Sequence, residues 1–160
     1  MGKKCFLETD GYRVSFDLQD IQASKEYIDM IVEFILDQHL GGIMVKSVPT
    51  FIAASDLYRL ATYFEEHIAQ LPQNPDRASY TFVPMELGFQ VQALAGEVHA
   101  ENDGEFSVRF LVNVGKSKDE GERVYVGGES VVTLKNIRRF ITSLHEALAD
   151  LPCADGMRLS

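Results

Sequence analysis

Residues 55–71 read SDLYRLATYFEEHIAQL, and a stretch with the same pattern follows eighty residues later, at 135–151. In both stretches the large apolar residues recur at spacings of three and four, which predicts an amphipathic helix that buries one stripe of side chains. The six stripe positions are Leu57, Leu60, Ala61, Phe64, Ile68 and Leu71 in the first stretch, and Ile137, Phe140, Ile141, Leu144, Leu148 and Leu151 in the second.

Five further positions, all outside the apolar stripe, carry identical residues in the two copies. These identities indicate an internal repeat. Burying six side chains stabilises a helix by about 10–15 kcal/mol, whereas ordering it costs roughly 1.5 kcal/mol per residue. Neither helix is therefore stable alone, and each must pack on a sheet or on the other helix. The identical pairs are Arg59/Arg139, Thr62/Thr142, Glu66/Glu146, Ala69/Ala149 and Pro72/Pro152.

The segment before the first helix carries the signals of several strands. Residues 5–9 and 12–18 predict two strands joined at Asp10-Gly11, a dipeptide that tolerates the positive φ angles of a tight hairpin turn. Residues 43–53 predict a strand that is broken at Pro49, because proline has no amide hydrogen to give to the ladder; Pro49 marks a bulge or an edge. Ser55 is the expected N-terminal cap of the helix.

Residues 27–36 fit two structures. Ser24 before the segment and Gly41-Gly42 after it are typical of the two ends of a helix. The alternation of apolar residues along the segment is instead typical of a strand with one buried face. We favour the strand, because residues 106–114, eighty positions further on, are also rich in valine and phenylalanine. The alternating residues are Ile28, Met30, Val32, Phe34 and Leu36.

The second half repeats the plan after residues 72–79, a proline-containing linker. Gly127-Gly128 predicts a β-bulge, and Thr133 or Lys135 begins the second helix. The predicted strands are 80–83, 89–94, 96–100, 106–114 and 123–133, with a turn at 102–104 and a charged loop at 115–122.

These elements predict an α+β fold within a single domain, 1–160. It consists of an internally duplicated antiparallel β-meander, each copy ending in a C-terminal helix, since hairpin-length connections favour antiparallel pairing. The copies span about 5–71 and 80–151, a pseudo-twofold axis relates them, and 152–160 form a tail.

Composition limits the classes of protein to which the chain can belong. A net charge of −9 over 160 residues argues against binding to nucleic acid and favours a basic protein partner. No apolar run is long enough for a transmembrane helix or a secretory signal, so we expect no membrane association. Cys5 and Cys153 are too few to staple a fold and are expected to be free thiols in the cytoplasm.

Several motifs suggest chemistry but lack a required residue. Gly115-Lys116-Ser117 resembles the end of a phosphate-binding loop, yet Phe110 stands where that loop needs a glycine. His145-Glu146 begins like a zinc-protease motif, but Ala149 replaces its second histidine. Cys153 follows Pro152 in the tail, where a nucleophile has no rigid support.

The remaining polar residues predict no site either. Glu65-Glu66 and the loop carboxylates Asp119, Glu120 and Glu122 are expected on solvated surfaces. The other histidines are isolated in sequence, and we expect them at the surface or its rim. We therefore predict no catalytic, metal-binding or cofactor-binding residue, no cofactor, and no enzymatic activity. These isolated histidines are His39, His67 and His99.

Three stretches resemble a known family. Tyr27-Ile28-Asp29-Met30-Ile31-Val32-Glu33-Phe34 resembles the central strand of WapI-type toxin immunity proteins, which are small bacterial proteins. Ser55-Asp56-Leu57-Tyr58-Arg59-Leu60 is similar to the helix start that follows this strand, and Gly96-Glu97-Val98-His99-Ala100 is similar to a strand of the second half. The resemblance covers about residues 12–151 and implies a cytoplasmic protein that blocks a toxin by binding it.

The sequence leaves open two other functions and one oligomeric state. The chain could be a small-molecule-binding domain with a pocket between the repeats, because clefts between packed elements are common pocket sites. It could also be an enzyme of an unrecognised class. An exposed edge at Pro49 or Gly127 could pair with its own copy and form a homodimer.

Overall fold

The computed structural model describes residues 2–21 and 26–149. In this part of the chain there are two antiparallel sheets and two α-helices, which confirms the predicted α+β class. The elements are β1 (Lys3–Glu8), β2 (Tyr12–Gln19), β3 (Tyr27–Leu36), β4 (Met44–Lys46), β5 (Thr50–Ala53), α1 (Ala54–Gln70), β6 (Phe89–Ala100), β7 (Asp103–Lys116), β8 (Arg123–Thr133) and α2 (Leu134–Leu148), with a 3₁₀ turn at Gln38–Leu40.

The first sheet has the strand order β1-β2-β3-β4, and β5 also pairs with β3. The hairpin predicted at Asp10-Gly11 is confirmed, but its turn uses no positive φ angle. The hydroxyl oxygen of Thr9 closes the turn instead, since it accepts hydrogen bonds from the amides of Gly11 (3.3 Å) and Tyr12 (3.0 Å).

The ambiguous segment 27–36 is the strand β3, as its alternation predicted. Ile28, Met30, Val32 and Phe34 are all buried on the core side of the sheet. Pro49 separates β4 from β5, which confirms the predicted break, and both short strands pair with different parts of β3.

The two helices begin differently. Ser55 was predicted as the cap of α1, but the cap position is Ala53, which makes no side-chain hydrogen bond. The prediction was wrong because β5 runs directly into the helix, so Ser55 already lies in its first turn. Thr133 and Lys135 were the two predicted starts of α2; the helix begins at Leu134, and Thr133 is its cap, whose hydroxyl oxygen accepts a hydrogen bond from the Asn136 amide at 3.1 Å.

The second sheet has the order β6-β7-β8. The strand predicted at 80–83 is reduced to a single bridge between Phe82 and Val91. The chain turns directly after it, where the Leu87 amide donates to the Pro84 carbonyl (3.0 Å), and a ladder cannot continue there. The strands predicted at 89–94 and 96–100 are one strand, β6, with a shift of register between Ala93 and Gly96.

The bulge predicted at Gly127-Gly128 is absent, and β8 pairs with β7 in regular register at both residues. A close approach of backbones requires glycine here: a Cβ atom on Gly127 would lie 1.8 Å from the Phe110 carbonyl oxygen. The irregularity of this pair of strands falls on β7, between Asn113 and Gly115.

Both helical stripes are buried as predicted, apart from Leu151, which lies outside the described residues together with Cys153 and the tail. Side chains of both sheets and both helices meet in one hydrophobic core. The ring of Phe16 on β2 joins these layers, with centroids 5.0 Å from Phe89, 5.8 Å from Phe110 and 5.3 Å from Phe140. Five strands precede α1 in the first half and three precede α2 in the second, so the halves share a terminal helix but differ in their number of strands.

Candidate interaction surface

The phosphate-loop-like Gly115-Lys116-Ser117 lies at the hairpin that joins β7 to β8, as predicted. The carboxylate of Asp119 accepts hydrogen bonds from the Ser117 hydroxyl (2.6 Å) and the Gly121 amide (3.0 Å). These bonds, the first of them above all, lower the pKa of Asp119. All three loop carboxylates are exposed, and that of Asp119 stabilises the turn.

The structure does not bring the histidines together. His39, His99 and His145 are exposed, and His145 lies 3.6 Å from the Glu65 carboxylate, which links the two helices at their surface. The surface prediction was wrong for His67, which is 1% exposed. His67 lies one helical turn after Phe64 on the buried side of α1, and this spacing was the signal for its burial.

Two hydrogen bonds satisfy the buried His67 ring. Its Nε2 donates to the Leu94 carbonyl (2.8 Å), and its Nδ1 accepts from the Ser79 hydroxyl (2.7 Å) in the neutral ring. The Phe106 ring packs against the imidazole at a centroid distance of 4.9 Å. A ring enclosed in this way cannot reach a substrate, so its role is structural.

We expect His67 to make stability depend on pH. Burial lowers the pKa of His67 below its ordinary value of 6.5; the Leu94 carbonyl opposes this shift, and the Arg77 cation adds to it. His67 therefore binds a proton more readily in the unfolded chain than in the folded chain. As a result, the free energy of unfolding falls as the pH drops below about 6.5.

Urea denaturation at several pH values between about 5 and 8 measures this effect. The variant His67→Gln should lose the His67 part of the pH dependence, whatever its stability at neutral pH. The control His99→Gln, which alters an exposed histidine, should keep it. Identical pH profiles for the wild type and His67→Gln would contradict the prediction.

The helices border two open grooves. One, of about 390 Å³, lies between α1 and α2 and is lined by Glu65, Ile68 and Ile141 among others. The other, of about 800 Å³, lies along α2 and includes Lys135, Arg138 and Glu146. Within residues 2–21 and 26–149, no group of three or more histidine, cysteine, aspartate or glutamate side chains is placed to hold a metal ion.

The first sheet presents a face that the described helices do not cover, which we call the open face. Alternate residues of each strand point away from the core, so the pairing of the strands determines which of them lie together. Its members are Lys4, Phe6 and Glu8 on β1; Arg13, Ser15 and Asp17 on β2; Tyr27, Asp29, Ile31, Glu33 and Ile35 on β3; Met44 and Lys46 on β4; and Phe51 on β5.

Three carboxylates surround an apolar residue at the centre of the open face. Ile31 lies directly opposite Asp17 on β2, and Asp29 and Glu33 flank it two positions away on the same side of β3. Three cations stand further from the centre: Lys46 pairs with Glu33 at 3.3 Å, Lys4 lies opposite Asp17, and Arg13 lies 3.9 Å from the Glu8 carboxylate. The centre of the face is therefore acidic and its edges carry the positive charge.

Aromatic side chains border this centre. Tyr27 and Phe51 are 46% and 47% exposed and contact each other edge to face, with centroids 5.5 Å apart. On the other side Phe6, 40% exposed, lies 5.1 Å from the guanidinium carbon of Arg13. Rings held in place but exposed are typical anchors of protein interfaces.

This surface was not predicted from the sequence. The alternating apolar residues of β3 were used to predict its buried side only. Its outward positions also include large apolar residues, namely Tyr27, Ile31 and Ile35. Apolar residues on both sides of a strand were the available signal. Their proximity to Phe6 and Phe51 depends on the register between strands, which the sequence does not give.

Comparisons with known proteins add no family to this description. No known protein family matches the chain, and no curated protein with a matching sequence was found. Within the described residues, neither helix has the combination of length and apolar character that crossing a membrane requires.

Proposed function

We propose that this chain is a non-enzymatic protein-binding module of the immunity type, which blocks a toxin by covering part of its surface. The observation that carries this proposal is the open face, with Ile31 at its centre, three carboxylates around it and exposed aromatic rings beside it. Aromatic residues such as these are enriched in protein–protein interfaces relative to the rest of the surface.

The charges favour a basic partner. Asp17, Asp29 and Glu33 lie at the middle of the face, where a bound protein excludes water and charge complementarity matters most. The net charge of −9 adds a long-range attraction that speeds the encounter with a basic protein. Tyr27 and Phe51 provide large, already ordered contact areas.

Further parts of the proposal concern the whole chain. We propose that it acts in the cytoplasm, in keeping with its immunity role. We also propose that its halves arose by duplication and are related by a pseudo-twofold axis, since α2 begins eighty residues after α1 and each helix directly follows a strand of its sheet. Finally, we propose that the chain forms a homodimer.

A capture experiment with charge-matched variants tests the binding function. The tagged chain is used as bait in lysate of the source organism, and captured proteins are identified by mass spectrometry. The face variant Asp17→Asn/Asp29→Asn/Glu33→Gln removes three charges from the open face. The loop variant Asp119→Asn/Glu120→Gln/Glu122→Gln removes the same number from the β7–β8 hairpin.

We expect the wild type and the loop variant to capture the same basic protein, and the face variant to bind it at least tenfold more weakly, which corresponds to about 1.4 kcal/mol. Co-expression with that protein should protect cells from its toxicity only when the open face is intact. Equal capture by both variants would contradict the proposal. If no protein is captured and a metabolite raises the melting temperature, the small-molecule alternative is favoured, with the groove between the helices as its pocket.

A further inference from the structure

β8 is an edge strand whose outer backbone is largely unpaired. It lies at the end of the order β6-β7-β8, and the Val131 carbonyl accepts a hydrogen bond from the Asp10 amide at 2.9 Å on its outer side. Backbone groups of alternate residues point to the same side of a strand. The outer groups of Arg123, Tyr125, Gly127 and Glu129 therefore face outward, and no described residue pairs with them.

The edges of the first sheet carry features that prevent unwanted strand pairing. The β6 edge of the second sheet is covered by residues 75–82, whose backbone bonds to Val91, Ala93 and Gly96. β8 has neither kind of protection. β1 contains Lys3 and Lys4, while β4 is only three residues long and is followed by Pro49. β8 is eleven residues long and contains neither lysine nor proline. A long edge without such protection is a template for another strand.

The sequence of β8 is complementary to itself in one antiparallel register. If two copies meet with the twofold axis at Val126, Arg123 of each lies opposite Glu129 of the other, and Tyr125 lies opposite Gly127. All of these residues present their backbone groups outward, so they would form the hydrogen-bonded pairs. Every other register moves Arg123 away from Glu129. The Glu129 carboxylate already pairs with Arg109 of its own sheet at 2.8 Å, so Arg123 of the second copy would be its second cation. The contact between Asp10 and Val131 leaves Arg123 to Glu129 free to pair.

Exposed apolar side chains lie at the same place. Val124 and Val126 are 42% and 39% exposed and continue the core side of the sheet beyond Val112. In this register Val126 faces its own copy, and Val124 is its diagonal neighbour across the two strands. Pairing would shield these valines from water.

We propose that the chain dimerises by antiparallel pairing of β8 with β8 of a second copy, about a twofold axis at Val126. The partner is a second copy because β8 is complementary to itself in both its charges and its backbone pattern. The two three-stranded sheets become one continuous sheet. The dimer leaves the open face free, so the failure of one proposal does not affect the other.

Cysteine cross-linking tests the register. All variants carry Cys153→Ser, so that Cys5 is the remaining native thiol. Cys5 is 1% exposed and is not expected to react. The variant Val126→Cys places two thiols at the axis, where a non-hydrogen-bonded pair has Cα atoms about 4.5 Å apart, within reach of a disulfide. The control Val124→Cys places its two thiols four positions apart along the paired strands, which is too far. We expect covalent dimers from the first variant only.

Charge exchange tests the pairing independently. Arg123→Glu should raise the dimer dissociation constant at least tenfold in analytical ultracentrifugation. Arg123→Glu/Glu129→Arg should restore dimerisation when Arg109→Gln is also made, because Arg109 pairs with Glu129 within one copy and would repel an arginine there. Thermal denaturation verifies that the variants fold. A wild type that stays monomeric at every concentration tested, or equal cross-linking at positions 124 and 126, would overturn the proposal.

Discussion

Replacing Phe16 with alanine is expected to lower the free energy of unfolding by about 3–5 kcal/mol. Phe16 is fully buried, and its ring contacts Phe89 and Phe110 of the second sheet and Phe140 of α2. Truncation removes these contacts and leaves a cavity between the first sheet, the second sheet and α2. These three parts cannot all move inward to fill the cavity. Since domains are stable by only about 5–15 kcal/mol, much of the stability depends on this ring.

Urea denaturation followed by circular dichroism measures the effect. The matched control is Phe51→Ala, which removes a ring that is 47% exposed and should cost about 1 kcal/mol or less. Phe16→Leu should fall between the two, because it keeps most of the volume. Equal losses for Phe16→Ala and Phe51→Ala would contradict the described core.

Replacing Gly127 with alanine is expected to cost about 2–4 kcal/mol, although glycine-to-alanine changes in unstrained positions usually stabilise a protein. The new Cβ atom would lie 1.8 Å from the Phe110 carbonyl oxygen and 2.9 Å from the Leu111 Cα. Both atoms belong to the backbone, so no side-chain rotation relieves the clash. The pairing of β7 with β8 must shift instead.

The neighbouring glycine is the control for this prediction. A Cβ atom on Gly128 would meet the Phe34 ring at 3.4 Å, an ordinary contact, so Gly128→Ala should change stability by less than about 1 kcal/mol. Both variants are compared at low protein concentration, where dimerisation contributes little to stability. Amide exchange of Phe110 and Val112 should accelerate in Gly127→Ala alone. Similar stability of the two variants would contradict the described approach of the strands.

Local patterns predicted much of the fold. The spacing of Leu57, Phe64 and Ile68 identified α1 and its buried side, because a helix brings residues three and four apart onto one face. The alternation from Ile28 to Phe34 identified β3 and its core side for the equivalent reason in a strand. The ends of β8 were predicted correctly, whereas the cap of α1 and the bulge at Gly127 were not.

The candidate surface was not predicted, because it depends on contacts between distant segments. Phe6, Ile31 and Phe51 lie on three strands, and only the cross-strand register brings them onto one face. Among residues 2–21 and 26–149, the second sheet and the helices pack on the other side of the first sheet and leave this face open, which no segment of the sequence indicates alone. The pKa of His67 likewise depends on burial and on Leu94 and Arg77, which approach it from other parts of the chain.

The sequence by itself determined where the helices and most of the strands lie and which of their sides are apolar. These properties follow from the periods of the helix and the strand, which are local. Only the tertiary structure decided which sheet face stays uncovered, why Gly127 must be a glycine, and that His67 is buried. Each of these depends on atoms far away in the sequence, whose positions are set by the packing of the two sheets and the helices around one core.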